Sequence, residues 1–537
     1  MVRRDETETL VHALCRRLGD DTRLIETHIS WVLLSGERAR KIKKPVDLGF
    51  LDFSTLEKRR FYCEEELRLN RRLASEWYLG VVAIGGAPDR PYVPAQGKAI
   101  EYFVEMRRFP DAARLDRLLE RGRLDAARID AFARRIARFH QGLPGAPPDS
   151  PYGRPEAVYA PVAENFAELR GRLGDAAEPL AWIEAWSRAE FERQHERLAQ
   201  RRRQGWIREC HGDLHLGNLA WVDGQPLVFD CIEFSPALRW IDPVNEIAFL
   251  LMDLRARGRA DLGWGFLDTW LEITGDFAGL ALMRFYRVYR AMVRAKVEAI
   301  QAGQRGGDPS AALRYLGLAR ELTGPASPRL LLTHGFSASG KSTLSRQLVE
   351  RLGAVRLRSD VERKRLFGVP AEASARAAPG RGIYTADASR RVYARLLDLT
   401  GELLDAGWTV IVDAAFLEAA RRAPFQRLAE RRGVPWTLLP LEVPTEILRQ
   451  RIRRRQGDVS DADLEVLEHQ LAHHQPLSAA ERRHAIPVDA GQPLDLDGLI
   501  AALGEVVAGG PMGRQDVDHI EAGFVVDARI DDDDVTE

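Results

Sequence analysis

CHGDLHLGNLAWVDGQPLVFD, residues 210–230, holds the parts of a phosphoryl-transfer site in working order. A short strand-like run, 206–210, leads into a loop opened by His211, Gly212 and Asp213. Asn218 follows Asp213 by five positions, and Asp230 ends a second strand over 226–230. Moving a γ-phosphoryl group needs a carboxylate that orients and deprotonates the acceptor hydroxyl, and oxygen ligands that hold Mg²⁺ against the phosphates. Asp213 suits the first task, Asn218 and Asp230 the second. A tight turn with an Asn/Gly cap would use some of the same residues, but the spacing to Asn218, the flanking strands and the downstream Asp230 agree on the chemical reading.

Protein kinases carry an HRD form of this loop with a lysine two residues after the aspartate, whereas here Gly212 precedes Asp213 and His215 follows it. In this the chain resembles the aminoglycoside phosphotransferase family, small-molecule kinases built on the protein-kinase fold. The resemblance implies ATP and Mg²⁺ as cofactors, and a strand lysine that contacts the α- and β-phosphates and pairs with a glutamate of the following helix. Lys41, in ARKIKKP, matches that lysine, with Lys43 as the alternative on the same strand face. A solvated basic strand end is the bland reading of both. In the helix expected over 53–74, capped by Ser54, three glutamates are consecutive. Only one can face the cleft, because successive helix positions are about 100° apart, and the family pattern selects Glu66. The stretch VDLGFLDFSTLEKRR also looks like the N-terminal signature of a bacterial subgroup in which such a domain is fused to an ATP-binding domain. A GxGxxG loop is absent from this lobe. A strand pair is expected at 91–94 and 100–107, with Glu105, Met106 and Arg107 linking the lobes and binding adenine through the backbone. Asp242, in RWIDPVNEIAFLLMDL, caps a buried helix and by resemblance braces the catalytic loop.

The totals fit a chain of several domains: 537 residues exceed one ordinary core. With 45% apolar and 29% charged residues the composition is globular, and the sequence has no apolar run long enough to span a bilayer. The start, MVRRDETETL, lacks the apolar centre of a signal peptide, so a cytoplasmic location is expected. Cys15, Cys63, Cys210 and Cys231 show no CxxC spacing, which argues against a zinc site or a disulfide framework. With 78 basic and 79 acidic residues there is no global attraction to nucleic acid, although Arg-rich local surfaces leave phosphate binding open.

Amphipathic periodicity places helices at 6–18, 125–141, 166–203 with breaks near Gly174 and Pro179, 261–272, 280–301 and 309–322, and a hairpin joins strands at 30–34 and 38–42. The run from Gly324 to Pro328 is a composition break. Beyond it, GFSASGKST, residues 335–343, matches GxxxxGK[ST] between a strand at 329–333 and a helix at 342–352, a Walker A loop in its required context. Gly335 and Gly340 let the backbone curl so that N–H groups through Ser337, Ala338 and Ser339 face phosphate. Lys341 reaches the β- and γ-phosphates, Ser342 ligates Mg²⁺, and Thr343 completes the motif.

No NKxD element for guanine is present, and a domain of about 180 residues suits a small-molecule or nucleoside-type kinase. Asp360 ends the strand 355–358, where open parallel sheets bind ligands, and is the expected acceptor base. Arg363 and Arg365 follow, positioned for an anionic or polyhydroxy acceptor. Helix capping by Ser359 and Asp360 would select the same residue types. Asp413, after the strand 408–412, suits a Mg²⁺ or water contact. A further strand is expected at 438–443 and a last one at 487–489. A helix from Pro444 carries Arg451, Arg454 and Arg455 into QGDVSDADLEVLEHQ, which looks like the lid of small P-loop kinases, and Arg451 and Arg455 are assigned to ATP. A last helix covers 494–507, and the acidic 509–537 is expected to be disordered.

The expected fold class is α/β and α+β in two domains. Residues 1–323 form a bilobal protein-kinase-like fold; a linker, 324–328, leads to a P-loop kinase fold over 329–508, with a parallel sheet flanked by helices. The pattern over about 22–503 resembles a bacterial fusion of an aminoglycoside-phosphotransferase-like domain with a P-loop kinase domain related to gluconate and polynucleotide kinases. That implies a bifunctional ATP-dependent phosphotransferase with two independent nucleotide sites and a hydroxyl-bearing small-molecule acceptor that the sequence does not identify. The alternatives are one catalytic domain regulated by a nucleotide-binding partner domain, a polynucleotide 5′-hydroxyl kinase in the second half, and a nucleotide-gated scaffold.

Overall fold

The computed structural model describes residues 4–49, 51–173, 177–305, 307–370, 383, 385–454 and 464–508. Gly174, Arg455, part of the expected lid and the acidic 509–537 lie outside these residues. A helix, α1 (Arg4–Leu18), opens the chain and is followed by an antiparallel sheet. Its strands are β1 (Arg23–Glu26), β2 (Ser30–Ser35) and β3 (Arg38–Lys43), then, after α2 (Leu56–Ala74), β4 (Tyr78–Ala87), β5 (Arg90–Tyr92) and β6 (Glu101–Arg107). The spatial order is β1-β2-β3-β6-β4-β5. Phe103 and Val104 are adjacent in β6 and so point to opposite faces. Phe103 joins Leu10, Val11 and Leu14 of α1, while Val104 joins Cys63 and Ala74 of α2. The sheet is thus covered on both sides, by α1 on one face and α2 on the other.

Four expectations change here. Helix α2 begins one residue later than expected, at Leu56 with Thr55 as its cap, because the Ser54 N–H donates to Asp52 Oδ1 at 2.9 Å. Strand β5 pairs with β4, not with β6. Strand β4 itself was not expected, since Gly80, Gly85 and Gly86 dilute its apolar pattern. Finally, Glu105, Met106 and Arg107 remain inside β6, and the Arg107 N–H is committed to Trp77 O at 2.9 Å, so the connection out of the sheet begins at Arg108.

The chain then turns helical through α3 (Leu115–Glu120), α4 (Ala126–Gly142), α5 (Pro155–Arg170) and α6 (Ala177–Arg203). The stretch 206–230 follows with β7 (Arg208–Glu209), β8 (Leu219–Val222) and β9 (Gln225–Val228), and leads through α7 (Pro236–Arg239) and β10 (Trp240–Ile241) to α8 (Pro243–Ala256). Residues Pro243 to Leu254 of α8 are all buried, as an apolar run of this length requires. Helices α9 (Ala260–Thr274), α10 (Met283–Arg305) and α11 (Ser310–Leu322) close this half.

The second half alternates strand and helix: β11 (Leu330–His334), α12 (Lys341–Leu352), β12 (Val355–Arg358), α13 (Ser359–Leu366), α14 (Ala386–Asp405), β13 (Val410–Asp413), α15 (Ala419–Arg431), β14 (Trp436–Glu442), α16 (Thr445–Arg454), α17 (Leu464–His473), α18 (Ala479–Arg482) and β15 (Val488–Asp489). The sheet is parallel throughout, in the order β12-β13-β11-β14-β15. Its inner strands LLLTH, VIVD and WTLLPLE are nearly continuous apolar runs, as burial on both faces demands. The crossover direction reverses at β11, and the carboxyl edge beside it is where such sheets bind ligands.

The two halves share one contiguous apolar cluster. Trp264 of α9 meets Trp408 edge to face at 5.9 Å, and Trp408 Nε1 donates to Leu280 O at 3.2 Å. The described residues up to Leu494 form one compact unit, and α19 (Leu496–Ala508) belongs to a second that begins at Asp495. Among the described residues no helix is long and apolar enough to cross a membrane.

Candidate active sites

Strand β3 presents Lys41 and Lys43 on one face, and both reach Glu66 of α2. Lys41 Nζ lies 3.0 Å from Glu66 Oε1 and 2.6 Å from Asp230 Oδ1. Lys43 Nζ lies 2.8 Å from Glu66 Oε2 and also bonds Glu233. The difference between the lysines is depth: the Lys41 side chain is 12% exposed, Lys43 not at all, and Asp230 is 43% exposed. Lys41 therefore borders the cleft, while Lys43 sits behind it over the Phe53 ring. Burial works to raise the Glu66 carboxyl, but the two ammonium groups outweigh it and hold it at about 2. Glu233 goes the other way, because burial raises it, Lys43 offsets this only in part, and the like charge of Glu66 adds to the rise.

The loop from His211 to Asn218 is laced to the segment after β9, which ends at Val228, so that Asp230 stands two residues beyond the strand rather than at its end. His211 Nε2 donates to Phe229 O at 2.8 Å and Ile232 N to His211 O at 3.0 Å. Asp230 takes a left-handed φ of 64°, strained for a residue with a side chain, and its N–H is held by Tyr78 Oη at 3.1 Å. Asn218 Nδ2 donates to Asp213 O and Oδ2 at 3.0 and 2.9 Å, so its Oδ1 is the atom it can offer to a cation. Burial would raise the Asp213 carboxyl, yet His215, at 3.4 Å, with His211 and Arg290, holds it well below the usual carboxylate range.

Helix α8 fixes the loop from beneath. Gly212 has φ 89°, and a Cβ there would meet Leu238 O at 3.0 Å, which is why glycine stands where kinases carry arginine. Its N–H donates to Glu246 Oε2 at 2.7 Å and its carbonyl accepts from Arg290 Nη1 at 3.2 Å. Leu216 N donates to Asp253 Oδ2 at 3.0 Å. The brace is therefore Glu246, with Asp253, and not Asp242. Asp242 instead caps α8 at Val244 N, 2.9 Å, and pairs with the buried Arg201. His140, Cys210 and Glu246 bring possible ligand atoms within 4.8 Å of one another. Both nitrogens of His140 are taken, however: Trp270 Nε1 donates to Nδ1 at 3.1 Å, and Nε2 bonds Glu246 Oε1 at 2.9 Å. The cluster is a support for the loop.

In the second half the strand β11 ends in a loop with left-handed φ at Gly335 (157°), Ala338 (64°) and Gly340 (96°), after which Lys341 and Ser342 open α12. Lys341 Nζ donates to Gly335 O and Phe336 O at 3.0 and 2.7 Å. Ser337 N donates to Gln470 Oε1 at 2.8 Å, Ser339 is buried, and Thr343 is exposed. Asp413 ends the neighbouring strand and accepts from Ser345 Oγ at 3.2 Å, one turn along α12 from Ser342. Asp360 lies in the first turn of α13. The cap of that helix is Arg358, with no side-chain cap bond, so capping does not account for Asp360.

Arg451 turns back to the loop, donating to Ala490 O at 2.7 Å and to Ala338 O at 3.4 Å. Arg455 lies outside the described residues. Arg363 donates to Ile383 O at 2.9 Å, and Arg365 to Leu271 O and Glu272 O of α9 at 3.1 and 2.7 Å. The expected acceptor role of Arg365 is thus replaced by a structural one between the halves.

The Phosphotransferase enzyme family matches residues 95–286, and an AAA domain matches residues 330–477. The uncharacterized protein Rv2004c of Mycobacterium tuberculosis is 35% identical over 446 residues, covering 82% of this chain and 88% of its own length, and Mb2027c of Mycobacterium bovis matches to the same extent. The chain belongs to their family. A phosphotransferase domain followed by a P-loop domain is the makeup of this family member. Among solved structures, a Janibacter sugar kinase matches 34% of this chain and 96% of its own (22% identity, TM-score 0.26). The amicoumacin kinase hAmiN matches 57% and 88% (15% identity, TM-score 0.38).

Several residues at these sites escaped the sequence reading. Glu233 stands three positions after Asp230, and Glu246 one turn after the Asp242-Pro243 cap; those offsets were the available signals. Arg356, Asp268 and His140 lie in no motif and come to their sites only through the packing of distant elements, and Gln470 ends the lid-like stretch without marking itself as a partner of the P-loop.

Proposed function

We propose that this family member is a bifunctional ATP-dependent phosphotransferase. Each half moves the γ-phosphoryl of ATP to a hydroxyl of a small molecule in the cytosol. The observation that carries the reading is the convergence of Lys41, Glu66 and Asp230 at one cleft edge with Asp213 and Asn218 in the adjoining loop.

The donor atoms suit Mg²⁺: Asp230 offers a half-exposed carboxylate and Asn218 its amide oxygen in the first half, and Ser342 a hydroxyl in the second, one helix turn from Ser345, which donates to Asp413. When bound, the ion neutralises charge on the phosphates. Lys41 supplies a positive point charge to the α- and β-phosphates and is aimed by Glu66. Asp213, kept ionised by its basic neighbours, accepts a hydrogen bond from the acceptor hydroxyl and takes its proton as the new O–P bond forms and the bond from the γ-phosphorus to the β–γ bridging oxygen breaks, with ADP as the leaving group. In the second half the loop N–H groups of Ser337, Ala338 and Ser339, with Lys341, cradle phosphate, Arg451 lies within reach of the loop, and Asp360 is the acceptor base.

The test is a phosphoryl-transfer screen with labelled ATP against sugars, aminoglycosides, nucleosides and 5′-hydroxyl oligonucleotides, run on the full chain, Asp213→Asn and Asp360→Asn. Transfer lost in one variant assigns that acceptor to its half. Transfer unaffected by either variant would overturn the assignment.

A further inference from the structure

Helix α9 touches the supports of both sites while contributing a ligand to neither. Asp268 accepts from Arg356 Nε at 3.1 Å and Nη2 at 2.5 Å, and from Arg346 Nη1 at 2.9 Å. Glu272 Oε1, one turn on, accepts from Arg356 Nη2 at 2.8 Å and Arg358 Nη1 at 2.9 Å. These arginines reach into the P-loop site. Arg356 Nη1 donates to Ser342 O at 3.0 Å, Arg358 Nε lies 3.6 Å from Asp413 Oδ2, and Arg346 belongs to α12 itself.

Trp270, two residues after Asp268, is turned by about 200° around the helix axis and faces the opposite way. Its indole N–H reaches His140, His140 reaches Glu246, and Glu246 holds the Gly212 N–H beside Asp213. A buried series of contacts therefore joins Ser342 to the catalytic loop of the other half. Helix α4, which carries His140, is tied to the same interface, because Asp130 accepts from Arg346 Nη2 at 2.7 Å and Thr269 Oγ1 at 2.8 Å.

We propose that α9 couples the two sites: nucleotide at the P-loop alters nucleotide affinity at the Lys41–Asp213 cleft, and the reverse, through Asp268 on one side of the helix and Trp270 on the other. The proposal rests on the reading that both halves bind nucleotide. The P-loop has a rearrangement to make, since Lys341 spends its ammonium on Gly335 O and Phe336 O and Ser337 N is occupied by Gln470, contacts that phosphate would replace. Arg356 bridges that loop to a carboxylate that is nearly fully buried, and a buried carboxylate stripped of its guanidinium partner is strongly disfavoured. A shift at Ser342 is therefore carried into α9 rather than absorbed beside it, and packed elements answer such shifts in discrete steps. Linkage makes the effect reciprocal.

Calorimetric titration of a non-hydrolysable ATP analogue with Mg²⁺ tests this on the full chain. Lys341→Ala and Asp230→Ala each leave one site, and for sites that ignore each other the wild-type isotherm is the sum of these two. Coupling predicts a departure equivalent to an affinity change of about 5-fold or more. Trp270→Phe keeps a buried ring and removes only the indole N–H, and Asp268→Asn removes the charge; both are expected to restore additivity. Trp270→Phe alone suffices if Asp268→Asn does not fold. An additive wild-type isotherm overturns the coupling, as does a departure that survives Trp270→Phe. A stoichiometry of one overturns the two-site reading and the coupling with it.

Discussion

Lys41 Nζ and Asp230 Oδ1 are 2.6 Å apart although 189 positions separate the residues in sequence. The pair joins the antiparallel sheet to the segment that follows the β8–β9 hairpin. The same strand carries Lys43 to the other oxygen of Glu66, so two substitutions that look alike in sequence differ in consequence.

Lys43→Met leaves Glu233 without its ammonium partner in a fully buried setting, and breaking such a pair costs about 3–5 kcal/mol. Lys41→Met strips a partner from the half-exposed Asp230, so folding suffers less while nucleotide affinity in this half falls. Denaturant melts paired with titration of an ATP analogue separate the two; equal stability losses would show that depth does not distinguish the lysines.

Asp213→Asn is expected to keep Mg·ATP binding in the first half and to slow transfer by about 10²- to 10⁴-fold, the usual effect of losing a general base. Asp230→Ala should lose tight Mg·ATP binding as well, because no neighbouring side chain replaces an anionic ligand. If both variants bind nucleotide equally poorly, the division of roles in this loop is wrong.

Lys341→Ala should reduce nucleotide stoichiometry from about two per chain to about one, since Lys341 supplies the P-loop with its point charge for phosphate. Equilibrium dialysis with labelled analogue reads this directly, and an unchanged stoichiometry would falsify the assignment of a P-loop site.

His334, at the end of β11, is held down to about 4 by burial first and then by the nearby charges of Arg422 and Lys341. Its Nε2 is buried without a hydrogen-bond partner, so protonation adds an uncompensated charge. A folded value below the ordinary 6.5 means that this stability is fully present above pH 6.5 and is lost as pH falls towards 4. The shift corresponds to about 3 kcal/mol. Thermal melts across that window should show a steeper fall for the wild type than for His334→Gln, and parallel curves would remove His334 from the account.

Two kinds of information were legible in the sequence. The loop His211 to Asn218 and the Walker A run Gly335 to Thr343 could be read directly, because each is a short segment whose backbone geometry and spacing place the functional atoms without help from elsewhere. The same holds for β3, for α4 with its Asp125 cap, and for β12, where periodicity and capping are local effects. Partner choice across the chain was decided by tertiary structure. Lys41 and Lys43 have equal claims on one strand face until burial separates them, and Asp242 and Glu246 are both acidic residues at the start of α8 until the helix rotation turns one to Arg201 and the other to Gly212. Strand β4, diluted by glycine, is a strand because β6 and β5 pair with it. The arginines of β12 carry no sequence signal of their partners and are buried against Asp268 and Glu272, since a charge can enter a core only beside a partner, and that partner lies some ninety positions away in sequence.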